Sequence, residues 1–344
     1  MNLSELDWQV TILPLPKGFS RGVALGFCGG HAVGRAEIPR GNRVIGCWWP
    51  DGKADSLTLK GREVVRVGHA RGDVIPGHWS DKKGSMHAVA WTLRAGRLVG
   101  AELEDAAYER TWAVSAGGGA VVGVGSPAAT SGQRRPNVGL LWRDGAVTPI
   151  AADREVSMFA TDGTRLAGSV MGRATLWAAA AATPVDLTPT GLAMSEVQAL
   201  DGDLQIGIAW KGFCPRAAIW RGSAASFADI TPQQFEAASA YDGAGGYQVG
   251  FVRTKDNTAG GTPGSDNRAV IWHGSSDEWF DLNALLPAKK YNASIAWAIE
   301  FRDDAVHVCG AASRYEVSNP GTAYESHPVP VQHPVVWTAK MSAR

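Results

Sequence analysis

One short pattern returns seven times along the chain: two or three small or apolar residues closing on a tryptophan, often after Arg-Ala or His-Ala/Pro. The copies end at Trp49 (IGCWW), Trp91 (HAVAW), Trp142 (VGLLW), Trp177 (RATLW), Trp220 (RAAIW), Trp272 (RAVIW) and Trp337 (HPVVW). Before each lies an apolar stretch centred on glycine, at Gly34, Gly77, Gly123, Gly168, Gly207, Gly250 and Gly310. Before each of those stands a tight-turn signal: Gly29-Gly30, Gly72-Asp73, Gly117-Gly118, Asp162-Gly163, Asp201-Gly202, Asp242-Gly243 and Asp303-Asp304. Asp-Gly and Gly-Gly pairs accept the positive φ of two-residue hairpins. After the tryptophan comes a short outer segment such as AVTPI, PVDLTP, FADITP or WFDLNALLP. The unit reads strand, turn, glycine-bearing strand, variable loop, tryptophan strand, outer strand. Four short strands every roughly 40–50 residues is the period of a propeller blade. The alternation and the turn chemistry exclude a helical solenoid.

The expected fold is therefore all-β, a seven-bladed β-propeller of four-stranded blades. Blades are expected near 20–60, 62–104, 109–150, 154–189, 195–232, 237–287 and 292–341, all in one domain over residues 1–344. Only TAKMSAR follows Trp337, too little for a fourth strand. The segment Trp8–Pro16 (WQVTILPLP) resembles WFDLNALLP and supplies the missing outer strand of the last blade. Joining the chain ends in this way removes an open sheet edge. The tryptophans are expected to fill the wedges between blades, each contributing roughly 2–3 kcal/mol on burial. The repeated glycine is expected to permit close backbone approach between sheets.

Composition agrees and excludes some partners. Forty-two Gly and only 19% charged residues fit many turns and few solvated helices. Zero formal net charge speaks against general nucleic-acid or anionic-lipid binding. No apolar run reaches the roughly 20 residues that span a bilayer. The start MNLSELDWQV lacks the features of a signal peptide, so the expectation is a cytoplasmic monomer, or a secreted mature chain. Cys28, Cys47, Cys214 and Cys309 lack CxxC spacing and read as buried thiols.

The units resemble the HAF-type repeat proteins, a bacterial propeller-like group whose repeats carry a Ser-x-Ala start, a turn, a VVG-like strand, an A-x-x-W strand and a DL-T/N ending. Residues 157–189 (SMFATDGTRLAGSVMGRATLWAAAAATPVDLTP) and 280–287 (FDLNALLP) carry the resemblance. It covers most of the chain in short degenerate motifs and implies a fold with no catalytic residues to transfer.

In a propeller the loops joining second to third strands share a face with the connections between blades. Three such loops are long: 125–137 in blade 3, 253–267 in blade 6 and 313–332 in blade 7. Long loops in a compact domain point to function, and Arg253, Arg314 and Tyr315 stand at their roots. Acidic residues recur near the starts of inner strands: Glu63, Glu109, Glu155, Glu196 and Glu236, with Arg110 beside one of them. As a ring around the channel mouth they could hold a divalent cation, Ca or Mg, or raise one another's pKa for acid–base work. Asp256 and Asp266 flank a Gly-rich stretch of calcium-loop composition without EF-hand spacing. Trp112 and Trp297, near inner-strand starts, are the aromatic candidates. The histidines form no HExxH or close pair, and no GxSxG or P-loop sits in a fitting context.

The leading expectation is a binding module presenting the loops of blades 3, 6 and 7 and the channel mouth to a protein or small polar ligand. The alternative is a lyase or hydrolase with an axial carboxylate/His metal site, requiring several Glu side chains to converge within about 5 Å. A lectin would need exposed aromatic platforms in every blade.

Overall fold

Seven four-stranded antiparallel sheets succeed one another along the chain and close into a ring. The structure, a computed structural model, describes residues 3–38, 43–59, 62–63, 66–103, 106–128, 135–150, 154–180, 182–254, 266–314 and 331–341, with the backbone alone at 62–63. From the inside outward, blade 1 is Arg21–Cys28, His31–Ile38, Arg43–Trp49 and Asp55–Ser56. Blade 3 is Arg110–Gly117, Ala120–Ser126, Val138–Arg143 and Ala146–Ile150, and blades 4, 5 and 6 repeat this order. Blade 7 is Ala293–Arg302, Ala305–Arg314, Val331–Lys340 and, as its outer strand, Trp8–Ile12. Trp8 pairs with Ala339 and Ile12 with Val335, so the two ends of the chain complete one sheet. Leu13 N donates to Pro334 O at 2.9 Å and continues the seam.

The core is divided among the blade interfaces. Each of the seven tryptophans is at most 5% exposed and lies in a cluster joining its blade to the preceding one. Trp337 of blade 7 packs with Ile271 and Leu282 of blade 6 and its connection. Trp220 of blade 5 packs with Leu176 and Leu187 of blade 4. Trp49 of blade 1 packs with Ala298 and Cys309 of blade 7, which shuts the circle. Three indoles also donate to the chain that leaves the preceding blade's outer strand: Trp49 to Pro14 O, Trp91 to Thr58 O and Trp337 to Leu282 O.

The repeated glycine answers a different need from the one expected. A Cβ on any of the seven would lie at most 2.5 Å from an inner-strand carbonyl of the same blade, such as Glu196 O at Gly207 and Ser239 O at Gly250. The close approach is therefore inside each sheet. In six blades the inner strand carries one extra residue beside this glycine: Leu25, Val114, Phe159, Gln198, Tyr241 and Trp297. A bulge turns one side chain out of the regular alternation, and the missing Cβ gives the bulged strand room.

A small hydroxyl fastens alternate interfaces. Thr111, Ser195 and Ser294, buried near the start of inner strands, accept the backbone N–H of Ala88, Ala174 and Ala269 on the preceding blade's tryptophan strand. Buried polar groups paired in this way cost little. Blades 4, 5 and 6 add an ion pair across their outer strands, Arg173–Asp186, Arg216–Asp229 and Arg268–Asp281.

Blade 2 departs from the pattern. Its inner strand in the sheet is only Arg66–Val67, paired with Val74–Ser80, then Met86–Arg94 and Arg97–Glu102. Arg62–Glu63, expected at the head of that strand, instead pairs with Thr58–Leu59 in a separate small hairpin. Beyond Gly68 the chain leaves its sheet and runs between the neighbouring inner strands. His69 N donates to Val114 O of blade 3, and Ala70 O accepts from Phe27 N of blade 1. Glycines permit this: a Cβ at Gly68 would strike the Val114 carbonyl, and one at Gly26 would meet Ala70 O. Among the described residues no helix is long and apolar enough to cross a membrane.

Candidate functional site

The axis has two ends of different construction. At the hairpin end, where first strands turn into second strands, the displaced segment of blade 2 reaches across. Arg71 donates to Leu200 O of blade 5 at 2.8 Å and to Gly243 O of blade 6 at 2.9 Å. His69 Nε2 lies 3.3 Å from Asp242 Oδ2 of blade 6, a carboxylate 2% exposed. The same oxygen accepts Ile299 N of blade 7 at 2.9 Å. Burial pushes the Asp242 carboxyl up, but His69, Arg71 and the Ile299 amide outweigh it and hold it below the usual range. Blades 2, 5, 6 and 7 are thereby tied at one point. The pocket beside this tie, about 370 Å³, is walled by Phe27, Ala70, Ala298 and Phe301 with Asp242 and Glu300. Burial raises the Glu300 carboxyl, opposed by Arg302.

Along the inner strands leading to the opposite, loop-bearing end, the bulged side chains of neighbouring blades meet. Tyr241 of blade 6 stacks on Trp297 of blade 7, with centroids 4.2 Å apart and planes 27° from parallel. Tyr241 also touches the Phe251 ring at 6.1 Å. Burial pushes its hydroxyl up to about 12, with the Glu196 charge adding to the rise and Ser239 opposing it. Glu196 of blade 5 is half-buried, its carboxyl raised by burial, and it accepts from Gln198 Nε2 at 3.0 Å. Residues alternating with these on the same strands, such as Val197, Ala240 and Ala296, lie in the blade interfaces. The half-buried set therefore lines the channel wall as an acid, an amide, a phenol and an indole from three successive blades.

The sequence candidates are distributed unevenly. Glu196 and Trp297 join this patch. Glu155 faces blade 3, where its two oxygens accept Asn137 N at 2.9 Å and Asn137 Nδ2 at 2.7 Å. Glu236 meets Cys214 Sγ of blade 5 at 3.7 Å. Both lie in blade interfaces away from the axis, because the residue heading an inner strand adjoins the preceding blade's third strand. Glu109 and Arg110 are exposed at the head of blade 3, and half-buried Trp112 packs on the blade 3–blade 4 core. The expected ring of mutually repelling glutamates does not assemble from Glu155, Glu196 and Glu236. Among the described residues no group of three or more His, Cys, Asp or Glu could hold a metal ion. Arg253 is half-buried opposite Asn267, and Asp266 accepts from Thr254 Oγ1 at 3.4 Å. Asp256 and Tyr315 lie outside the described residues, as does the Glu63 side chain. Arg314 is exposed and donates to Lys289 O at 2.6 Å.

Three of the four thiols are buried. Burial pushes Cys28 and Cys47 up to about 12 and Cys309 well above its ordinary value, which keeps them protonated and unreactive. Sequence reading missed Tyr241, Gln198, Arg71 and Asp242. The first two could have been found from a bulge opposite each repeated glycine. The last two carried only a turn signal.

No protein-family model matches the sequence, and no curated protein matches it. Solved structures do. A puromycin hydrolase S511A mutant complexed with PGG is 13% identical with a TM-score of 0.54, over 90% of this chain and 54% of that one. Prolyl oligopeptidase B from Galerina marginata is 13% identical with a TM-score of 0.52, over 90% of this chain and 50% of that one. The β-propeller domain of the Trilobed protease from Pyrococcus furiosus is 9% identical with a TM-score of 0.49, over 77% of this chain and 98% of that one. The chain thus spans about half the length of the first two, and at these identities the likeness is one of fold.

Proposed function

We propose that this propeller is a binding module that takes a small polar ligand, or a side chain of a protein partner, at the loop-bearing mouth of its channel. The observation that carries this reading is the Glu196–Gln198–Tyr241–Trp297 patch: half-buried polar and aromatic groups from three successive blades come together there on the inner strands. A few placed polar groups against aromatic surface are what small-ligand sites commonly offer. The peptidase propellers support the fold and supply no ligand. The HAF-type resemblance likewise brings no activity.

The test is a ligand and peptide screen read by tryptophan fluorescence and calorimetry. For any hit, Trp297→Ala and Glu196→Gln are expected to weaken binding by at least tenfold, about 1.4 kcal/mol. A hit whose affinity both variants leave unchanged would remove the channel mouth as the site.

A further inference from the structure

The pocket beside the hairpin-end tie holds acceptors that the tie does not use. Its walls come from four blades: Phe27 of blade 1, Ala70 of the displaced blade 2 segment, Asp242 of blade 6, and Ala298, Glu300 and Phe301 of blade 7, around about 370 Å³. Asp242 Oδ2 is committed to His69 and to the Ile299 amide. Its Oδ1, on a carboxylate 2% exposed, is buried and makes no hydrogen bond. Glu300 is 24% exposed, yet its Oε1, 3.3 Å from Arg302 Nε, is also buried without a hydrogen bond. A buried charged acceptor left unpaired is costly. Two of them on the wall of one cavity point to a donor that belongs there.

The surroundings favour a cation as that donor. Arg71 lines the pocket too, but its guanidinium is engaged with Leu200 O and Gly243 O. Arg302 reaches to Gly30 O at 2.9 Å and to Asp303 at 3.4 Å. The field that remains is negative at the neighbouring thiols. After burial itself, Asp73 and Glu300 raise Cys28, and Asp242 and Glu300 raise Cys309. Phe27 and Phe301 add aromatic surface, and Phe301 is held against Tyr247 with centroids 5.6 Å apart. Aromatic faces attract cations. A metal ion suits the pocket less well. Hard cations take about six to eight oxygen ligands, and much of this wall is aliphatic or aromatic.

We propose that this pocket binds a primary ammonium group carried on a small apolar body. An alkylammonium has only donors and no acceptor, and it donates to Asp242 Oδ1 and Glu300 Oε1. Ala70, Ala298 and the two phenylalanines contact the body. These residues are distinct from the channel patch, so the two readings stand or fall independently.

The experiment is calorimetric titration of the full chain with benzylammonium, n-butylammonium, neutral benzyl alcohol, benzoate and calcium, the cations as chlorides. Saturable binding of at least one ammonium ion is expected, weakening with added salt, with none of the alcohol or the benzoate. Glu300→Gln keeps the shape, removes the charge and should weaken binding roughly fivefold or more. Ala244→Leu, at a half-buried position on the pocket wall, should fill part of the space and weaken binding by a similar factor with both carboxylates in place. Both variants should also lose the rise in melting temperature that the ammonium ion gives the parent. Glu196→Gln should leave this affinity unchanged, which keeps a failure here apart from a failure of the channel reading. The proposal is overturned if the alcohol binds as well as the ammonium ions, if neither ammonium ion binds by about 10 mM, if calcium binds and the ammonium ions do not, or if both pocket variants bind like the parent.

Discussion

Two sets of residues on the inner strands, the hairpin-end tie and the bulge patch, use polar groups for opposite purposes. At the hairpin end Arg71, His69 and Asp242 are engaged with one another and with the backbone of blades 5, 6 and 7. Along the inner strands Glu196, Gln198, Tyr241 and Trp297 remain half-buried. A buried charge that meets backbone carbonyls and a counter-ion fixes geometry. A desolvated carboxyl that meets only a neighbouring amide keeps acceptor capacity for something else. The charged residues near the axis thus divide into struts and receptors, told apart by whether the group meets a charge and backbone of other blades.

Opening the ring should erase the contrast, because both sets depend on closure. Deleting residues 1–16 removes the Trp8–Ile12 strand, buried Leu13 and the Pro14 acceptor of Trp49. The expected loss is about 5 kcal/mol or more, seen in thermal melts as a fall on the order of 10 °C. Next comes the strut itself. Arg71→Met leaves two carbonyls without their donor and Asp242 without the nearby guanidinium charge. It should cost about 3 kcal/mol in urea unfolding, whereas Glu196→Gln in the bulge patch should stay within about 0.5 kcal/mol of the parent.

The smallest effect lies in the pH dependence. Asp242 is held below its ordinary value of 3.8, so its contribution is full above that value and fades as pH falls through the lower folded value. Glu196 is raised above 4.5, so its contribution is present below that value and lost as pH rises through the folded value. Stability measured from pH 7 down to 3 should therefore fall less steeply in Asp242→Asn than in the parent. In Glu196→Gln the difference from the parent should favour the variant at pH 7 and shrink on acidification. Identical slopes in all three proteins would mean the two sets are electrostatically equivalent.

The ring was legible because each blade must bury one large side chain and turn tightly, and both demands write themselves locally, as in DGDLQIG followed by RAAIW. The closing strand was legible for the same reason, since WQVTI repeats the make-up of an outer strand. The tie at the hairpin end was not. GHARGD reads as an ordinary strand and turn, and its partners Leu200 and Gly243 lie 129 and 172 residues away. The acidic mouth was half legible. Recurrence located Glu155, Glu196 and Glu236 at matching points, but only the structure shows Asn137 and Cys214 meeting two of them from the neighbouring blade. Side-chain direction at a strand head depends on the next sheet, which no local pattern encodes.

The seam between Trp8–Ile12 and Val331–Lys340 also orders events during synthesis. The Trp8–Ile12 strand pairs with one made more than 300 residues later. At roughly 5–20 residues per second, the nascent segment waits on the order of 15–60 s for its mate. Until then the growing chain presents an incomplete circle with an unpaired flank on either side. Emergence of the Val331–Lys340 strand, rather than any shorter length, is the moment at which this ring can become cooperative.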